Sequence, residues 1–180
     1  MKDADRGTLI AHDGRPAVRF TRRYAHPVER LWTAVTDPQE LVRWFPSRVR
    51  MQPRIGGTIE FYGDPNIPDA PGQSGTVLVY EPPRRLSFTW WANEVHFLLE
   101  PSDDGGCVLT LIDVLESSDT AARNAAGWSV CLAELDKVVS GMIADGPHGA
   151  SAASWSELYA DYVAAGMPSG AAIPGGAETR

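Results

Sequence analysis

Apolar positions change their spacing several times along the chain, and each change predicts an element. In residues 17–24, Val18 and Phe20 fall on one side and Arg19 and Thr21 on the other, the two-residue period of a strand with one wet face. From His26 to Phe45 the period lengthens. Val28, Leu31, Trp32 and Val35 share one helical face, and Leu41, Trp44 and Phe45 another. This predicts two short helices, the first started at Pro27 and the second by Asp37 as cap, Pro38 at its first turn and Glu40 in a capping box. From Val49 to Glu116 short alternating segments are punctuated by Gly56-Gly57, Pro82-Pro83 and residues 103–106, which predicts an antiparallel meander. The stretch Gly63 to Gly75 is long and rich in Pro and Gly, the character of a surface or rim loop.

After Ser117, Ser118 and Asp119, the residues Trp128, Cys131, Leu132, Leu135, Val138, Val139 and Met142 return to helical spacing. They predict one long helix from Thr120 to about Gly141. Gly127 falls inside it, where it costs up to about 1 kcal/mol relative to Ala and suggests close packing or a bend. A second, shorter stripe of Trp155, Leu158, Tyr159 and Tyr162 follows Ser154, a candidate cap. The expected organisation is an N-terminal arm over 1–16, one domain over 17–143, an extension with a short helix over 144–167, and a disordered tail over 168–180.

Strand parity gives an inward list: Leu86, Phe88, Trp90; Val95, Phe97, Leu99; Leu109, Leu111, Asp113. These should face the long helix. The opposite parity collects Leu78, Tyr80, Trp91, Leu98, Val108, Ile112 and Val114. So much apolar surface predicts a cover, either the tail helix or a second subunit, hence a possible homodimer.

At 180 residues and 43% hydrophobic, the chain suits one core better than two. The net charge of −7, with both signs interspersed, argues against nucleic acid as a partner. In the cluster Thr21-Arg22-Arg23-Tyr24 the two arginines are expected at the solvated end of a strand. No apolar leader opens the sequence and no run of eighteen uncharged apolar residues occurs, so no membrane span is expected and the cytoplasm is the expected location. Cys107 and Cys131 have no CxxC or Cys/His spacing and should be buried free thiols.

The succession of strand, two short helices, about six to seven antiparallel strands and a long helix resembles the START/Bet v 1-like (SRPBCC) superfamily. More narrowly, the segments "AVRFTRRYAHPVERLWTAVTDPQELVRWF", "RIGGTIEF", "EPPRRLSFTWW", "VHFLLEPSDDGGCVLTLIDV" and "GWSVCLAELDKVVSG" resemble, in order, the branch named after the activator of the ninety-kilodalton heat-shock protein's ATPase. The resemblance runs from about Gly7 to Gly141. It implies an α+β helix-grip fold, a curved antiparallel sheet around a long C-terminal helix. None of these segments is a catalytic signature, and the fold hosts carriers, sensors and cyclases alike.

A sheet curved around a helix leaves room for a cavity on the order of 300 to 1,000 Å³. Its candidate wall is Trp32, Trp44, Phe45, Phe61, Trp90, Phe97 and Trp128. The competing expectation is that these rings simply meet and fill the core. Asp113 is the one ionisable side chain on the inward list and needs a partner or a raised pKa. It would orient a ligand, act as a base, or cap a loop at its strand's end. His96 should point outward, and no HxxxH, HExxH, P-loop, GxGxxG or Gly-x-Ser-x-Gly motif is present, so no cofactor or metal is expected. A single inward acid lacks the pair that general acid–base chemistry wants. The expected function is therefore binding of a lipid-like or polyketide-like hydrophobic small molecule. A cyclase or dehydratase and a protein-interaction module are the alternatives.

Overall fold

Alternation decides which face each strand buries, and turn chemistry decides where each strand ends. In the computed structural model, which describes residues 5–64 and 72–173, the first turn is Asp13-Gly14. Both residues have positive φ, 48° and 79°, the backbone of the tight hairpin turn that favours Asp-Gly. It joins β1 (Thr8–His12) to β2 (Arg15–Tyr24), with His12 opposite Arg15. The expected N-terminal arm is thus largely a strand. The remaining strands are β3 (Arg48–Met51), β4 (Thr58–Tyr62), β5 (Gln73–Glu81), β6 (Arg85–Trp90), β7 (Asn93–Pro101) and β8 (Cys107–Val114). They form one antiparallel eight-stranded sheet in the order β1-β2-β8-β7-β6-β5-β4-β3.

Parity holds for β6, β7 and β8, whose inward residues Leu86, Phe88, Val95, Phe97, Leu99, Leu109, Leu111 and Asp113 are buried. It fails in β5. Val77 pairs with Phe88 but Val79 with Ser87, so Leu78 is an inserted bulge residue that flips every later side chain. Tyr80, expected outside, pairs with Leu86 and meets Trp32 edge to face on the inside, with ring centroids 5.4 Å apart.

The helices follow from their caps. α1 (Val28–Thr36) starts after Pro27 and buries Val28, Leu31, Ala34 and Val35. Asp37 caps α2 (Pro38–Leu41) by accepting from Gln39 N at 2.7 Å. Glu40 does not complete a capping box; it takes Arg30 at 2.6 Å instead. α3 (Ala121–Val139) lies on the inner sheet face with Trp128, Leu132, Leu135 and Val139 buried. It ends at Gly141, whose φ of 72° lets Met142 N reach the Lys137 carbonyl at 2.9 Å, a closing turn that frees glycine from the steric penalty other residues meet.

α4 (Trp155–Ala164) begins where Ser154 accepts from Glu157 N. It does not cover the outer sheet face. It packs on the far side of α3, where Tyr162 is buried, its hydroxyl 2.9 Å from Ser129 Oγ and accepting from Gly7 N at 2.8 Å. Residues 168–173, expected to lie free, run along the start of α3. Ala122 N donates to the Pro168 carbonyl and Arg123 to that of Ala172, which satisfies a backbone donor that the helix itself cannot. Residues 174–180 of the expected tail, and 65–71 of the expected rim loop, lie outside the described residues.

The outer sheet face is covered at one end by the tip of the β1–β2 hairpin. Arg15 pairs with Glu94 of β7, and the His12 ring lies 5.1 Å from that of His96. Ala17 and Val114, paired across β2 and β8, are buried. Arg22, expected in solvent, is buried too, its guanidinium 5.7 Å from the Phe20 ring.

Candidate functional site

Asp113 projects from β8 toward α3 and is fully buried. Its Oδ1 accepts from Asn93 Nδ2 at 3.0 Å, and its Oδ2 from Asn124 Nδ2 at 2.9 Å and Trp128 Nε1 at 3.0 Å. Burial raises its pKa, and the bonds from Asn124, Trp128 and Asn93 oppose the rise in part. No cation pairs with it directly. Asn93 is held in turn by accepting from Glu116 N at 3.0 Å. Asp113 therefore ties two strands to α3, and its oxygens are occupied by neutral donors. Asn93 and Asn124 were not foreseen as partners, although Asn93 shares the inward parity of Val95 and Phe97, and Asn124 stands four residues before Trp128.

The bond to Asp113 fixes the Trp128 indole, and the other rings gather around it. Trp128 lies 5.7 Å from Trp90, 5.9 Å from Phe45 and 6.2 Å from Phe97, centroid to centroid. Phe45 lies 5.0 Å from Trp90 and 5.9 Å from Phe61. Trp44 meets Phe45 and Phe97 at 5.7 and 6.0 Å. Phe88, not among the candidates, joins through Phe61 and Phe97. These spacings are those of packed aromatic pairs. Six of the seven candidate rings thus meet, and Trp32 stands apart with Tyr80.

No roomy cavity opens at the aromatic cluster among the described residues. Between the described residues the interior leaves a void of about 10 Å³, lined by Val35, Phe45, Ile59, Phe88 and Phe97 among others, room for one water at most and without polar partners to hold it. The reason is volume: rings from α2's exit, β4, β6, β7 and α3 interlock instead of standing back from one another.

The indoles differ in one respect. Trp44 Nε1 donates to the Ala34 carbonyl at 2.8 Å and Trp128 Nε1 to Asp113. Trp90 Nε1 is buried without an acceptor. Trp90 itself is only partly buried and closes the cluster together with Phe45 at the β6–β7 turn, where Trp91 is exposed with φ of 56°. An unpaired buried N–H costs about 1–3 kcal/mol, so this edge of the cluster is the least satisfied.

Among the described residues no three His, Cys, Asp or Glu side chains could hold a metal ion. Cys107 and Cys131 are buried free thiols, and burial raises the proton affinity of both, that of Cys131 furthest, which disfavours the reactive thiolate form. No helix among the described residues is long and apolar enough to cross a membrane.

Residues 25–140, spanning α1 to the end of α3, match the family model described as Activator of Hsp90 ATPase homolog 1-like protein. The chain belongs to that family. The match takes in every ring of the cluster and Asp113. The chain matches none of the curated proteins. Among solved structures it is similar to EF2215 from Enterococcus faecalis, a conserved protein of unknown function, at 20% identity and TM-score 0.72 over 91% of both chains. It is also similar to CalU16 from Micromonospora echinospora, whose solution structure has 24% identity and TM-score 0.69 over 92% of this chain and 95% of that one. DynU16, a putative protein in the dynemicin biosynthetic locus, is similar over 72% of this chain and 50% of its own, at 23% identity and TM-score 0.60. These likenesses agree with the helix-grip architecture of this Activator of Hsp90 ATPase homolog 1-like chain.

Proposed function

We propose that the chain binds a small, uncharged hydrophobic molecule at the aromatic cluster, entering where Trp90 and Phe45 touch. The observation that carries this reading is the unsatisfied Trp90 indole at the partly exposed edge of an otherwise closed set of rings. With a void of only about 10 Å³, binding requires those two rings to part, so the ligand-competent state is a minor one that the ligand selects. No cationic side chain joins the cluster among the described residues, so a neutral molecule fits better than a carboxylate. That DynU16 belongs to a biosynthetic locus suits a carrier of a hydrophobic product. Trp44, Phe45, Phe61, Trp90, Phe97 and Trp128 would form the wall, Asp113 would position Trp128 behind it, and Trp32 would lie outside.

Titration with N-phenylnaphthylamine, a neutral dye that brightens in apolar surroundings, tests the reading. Trp90→Ala removes the closing ring and the cost of displacing it, so dye affinity should rise about tenfold, equivalent to about 1.4 kcal/mol. No saturable binding in either protein would overturn the reading.

The filled interior, together with the exposed Trp91, favours a second reading, a module that binds protein through its surface. Under it neither protein takes up the dye, and Trp91→Ala abolishes partner binding without altering the fold.

A further inference from the structure

The tip of the β1–β2 hairpin meets the outer sheet face through two imidazoles. The His12 and His96 rings lie 5.1 Å apart, tilted by 46°. His96 Nδ1 is 2.9 Å from Ser87 Oγ, and its Nε2 is buried without a hydrogen-bond partner. Several charged groups of the described residues surround the pair. From the hairpin come Asp13, 3.8 Å from His12, and Arg15, which pairs with Glu94 and donates to the Ala92 carbonyl. From β7 comes Glu94, its Oε2 4.0 Å from His96 Nε2. From β6 comes Arg85, whose charge acts on His96. β8 places uncharged Ile112 opposite His96.

We propose that His12 and His96 form an acid-sensitive latch, in which the neutral rings hold the hairpin tip on the sheet and their protonation releases it. With both rings neutral, Arg15 and Arg85 balance Glu94 and Asp13. Two protons leave an excess of two positive charges between rings in contact, because Glu94 is already engaged by Arg15. Like charges at such a distance repel, the more so where water is excluded.

Burial, and then the neighbouring His12, hold the His96 imidazole below its ordinary proton affinity. The docked hairpin therefore binds a proton more weakly than the released one. Docking is fully stabilised above the ordinary histidine range, near pH 6.5, and is lost progressively as pH falls below it.

Amide hydrogen exchange, corrected for intrinsic rates and followed at pH 7.5 and 5.5 in peptides from residues 8–18 and from α3, tests the latch. The hairpin should lose about tenfold in protection at the lower pH while α3 keeps its own. His12→Phe keeps a ring against His96 but cannot take a proton, and it should hold the hairpin's protection at pH 5.5. His96→Gln, which keeps a partner for Ser87, is the second variant and should blunt the loss in the same way. Equal protection of the wild-type hairpin at both pH values, an undiminished loss in both variants, or a matching loss in α3 would overturn the proposal.

Discussion

Asp113 and His96 sit one step apart across the β7–β8 ladder, on opposite faces of one sheet, and their surroundings treat them differently. Asp113 faces inward, where Asn93, Asn124 and Trp128 occupy its oxygens. His96 faces outward under a hairpin, with one nitrogen on Ser87 and the other unpartnered. Burial disfavours the charged form of both, raising the proton affinity of the acid and lowering that of the base. The contrast teaches that burial alone does not define a site. A group whose hydrogen bonds are complete serves as a joint, and a group left partly unsatisfied is where the structure can yield to a proton or a ligand. By the same criterion Trp128, bonded to Asp113, is a fixed wall, and Trp90, with its free N–H, is the movable one.

The largest expected effect breaks the inner joint. Asp113→Ala strands the buried Trp128 donor and the two part-buried amide donors of Asn93 and Asn124 and should cost about 2–4 kcal/mol in urea unfolding. A loss under 1 kcal/mol would mean that these bonds are not formed in solution. Next, Trp128→Phe removes one donor but keeps most of the ring, and should cost about 1–2 kcal/mol. A smaller gain is expected on the α4-facing side of α3. A Cβ built on Gly127 meets nothing nearer than Trp155 Nε1 at 3.9 Å. Gly127→Ala should thus stabilise by about 0.5–1 kcal/mol, whereas destabilisation would reveal the close packing that a mid-helix glycine suggests.

The subtlest test sets the two faces against each other through pH. The raised Asp113 pKa means that its contribution to stability is fully present below the ordinary aspartate range and declines as pH rises through its folded value. The lowered His96 pKa means the reverse, stability present above about pH 6.5 and lost below it. Asp113→Asn should remove the first slope and His96→Gln the second, in stability profiles measured from pH 4 to 8. If the same variant removed both slopes, the two groups would not be independent.

Much of the architecture was legible because local signals agreed with the global fold. Alternation placed the inner residues of β6, β7 and β8, Asp37-Pro38 marked the start of α2, and the stripe from Trp128 to Val139 marked the helix that the sheet grips. Failures arose where one residue redirects many. The bulge at Leu78 turned Tyr80 inward, and no spacing rule announces a single inserted residue. Asp13-Gly14 is a hairpin signal, but the apolar alternation on its N-terminal side is too short to mark β1 as a strand. α4 went to α3 rather than to the outer sheet, since an apolar stripe states how much must be buried but not against what. The candidate site was legible in its members and not in its volume. Strand and helix periodicity can bring six rings to one place, but whether they stand apart or interlock depends on rotamers that periodicity does not encode.

The proposed binding requires the Trp90 edge to open to a neutral apolar molecule while Trp128 stays bound to Asp113. The most direct measurement is the indole region of a proton–nitrogen correlation spectrum, in which the six tryptophans give separate Nε1 signals, recorded while N-phenylnaphthylamine is added. The Trp90 signal should shift most, Trp128 should shift by ring-current change while its exchange with solvent stays slow, and Trp155 on α4 should not move. Saturation with no change at Trp90, or changes confined to Trp91 and Trp155, would contradict it.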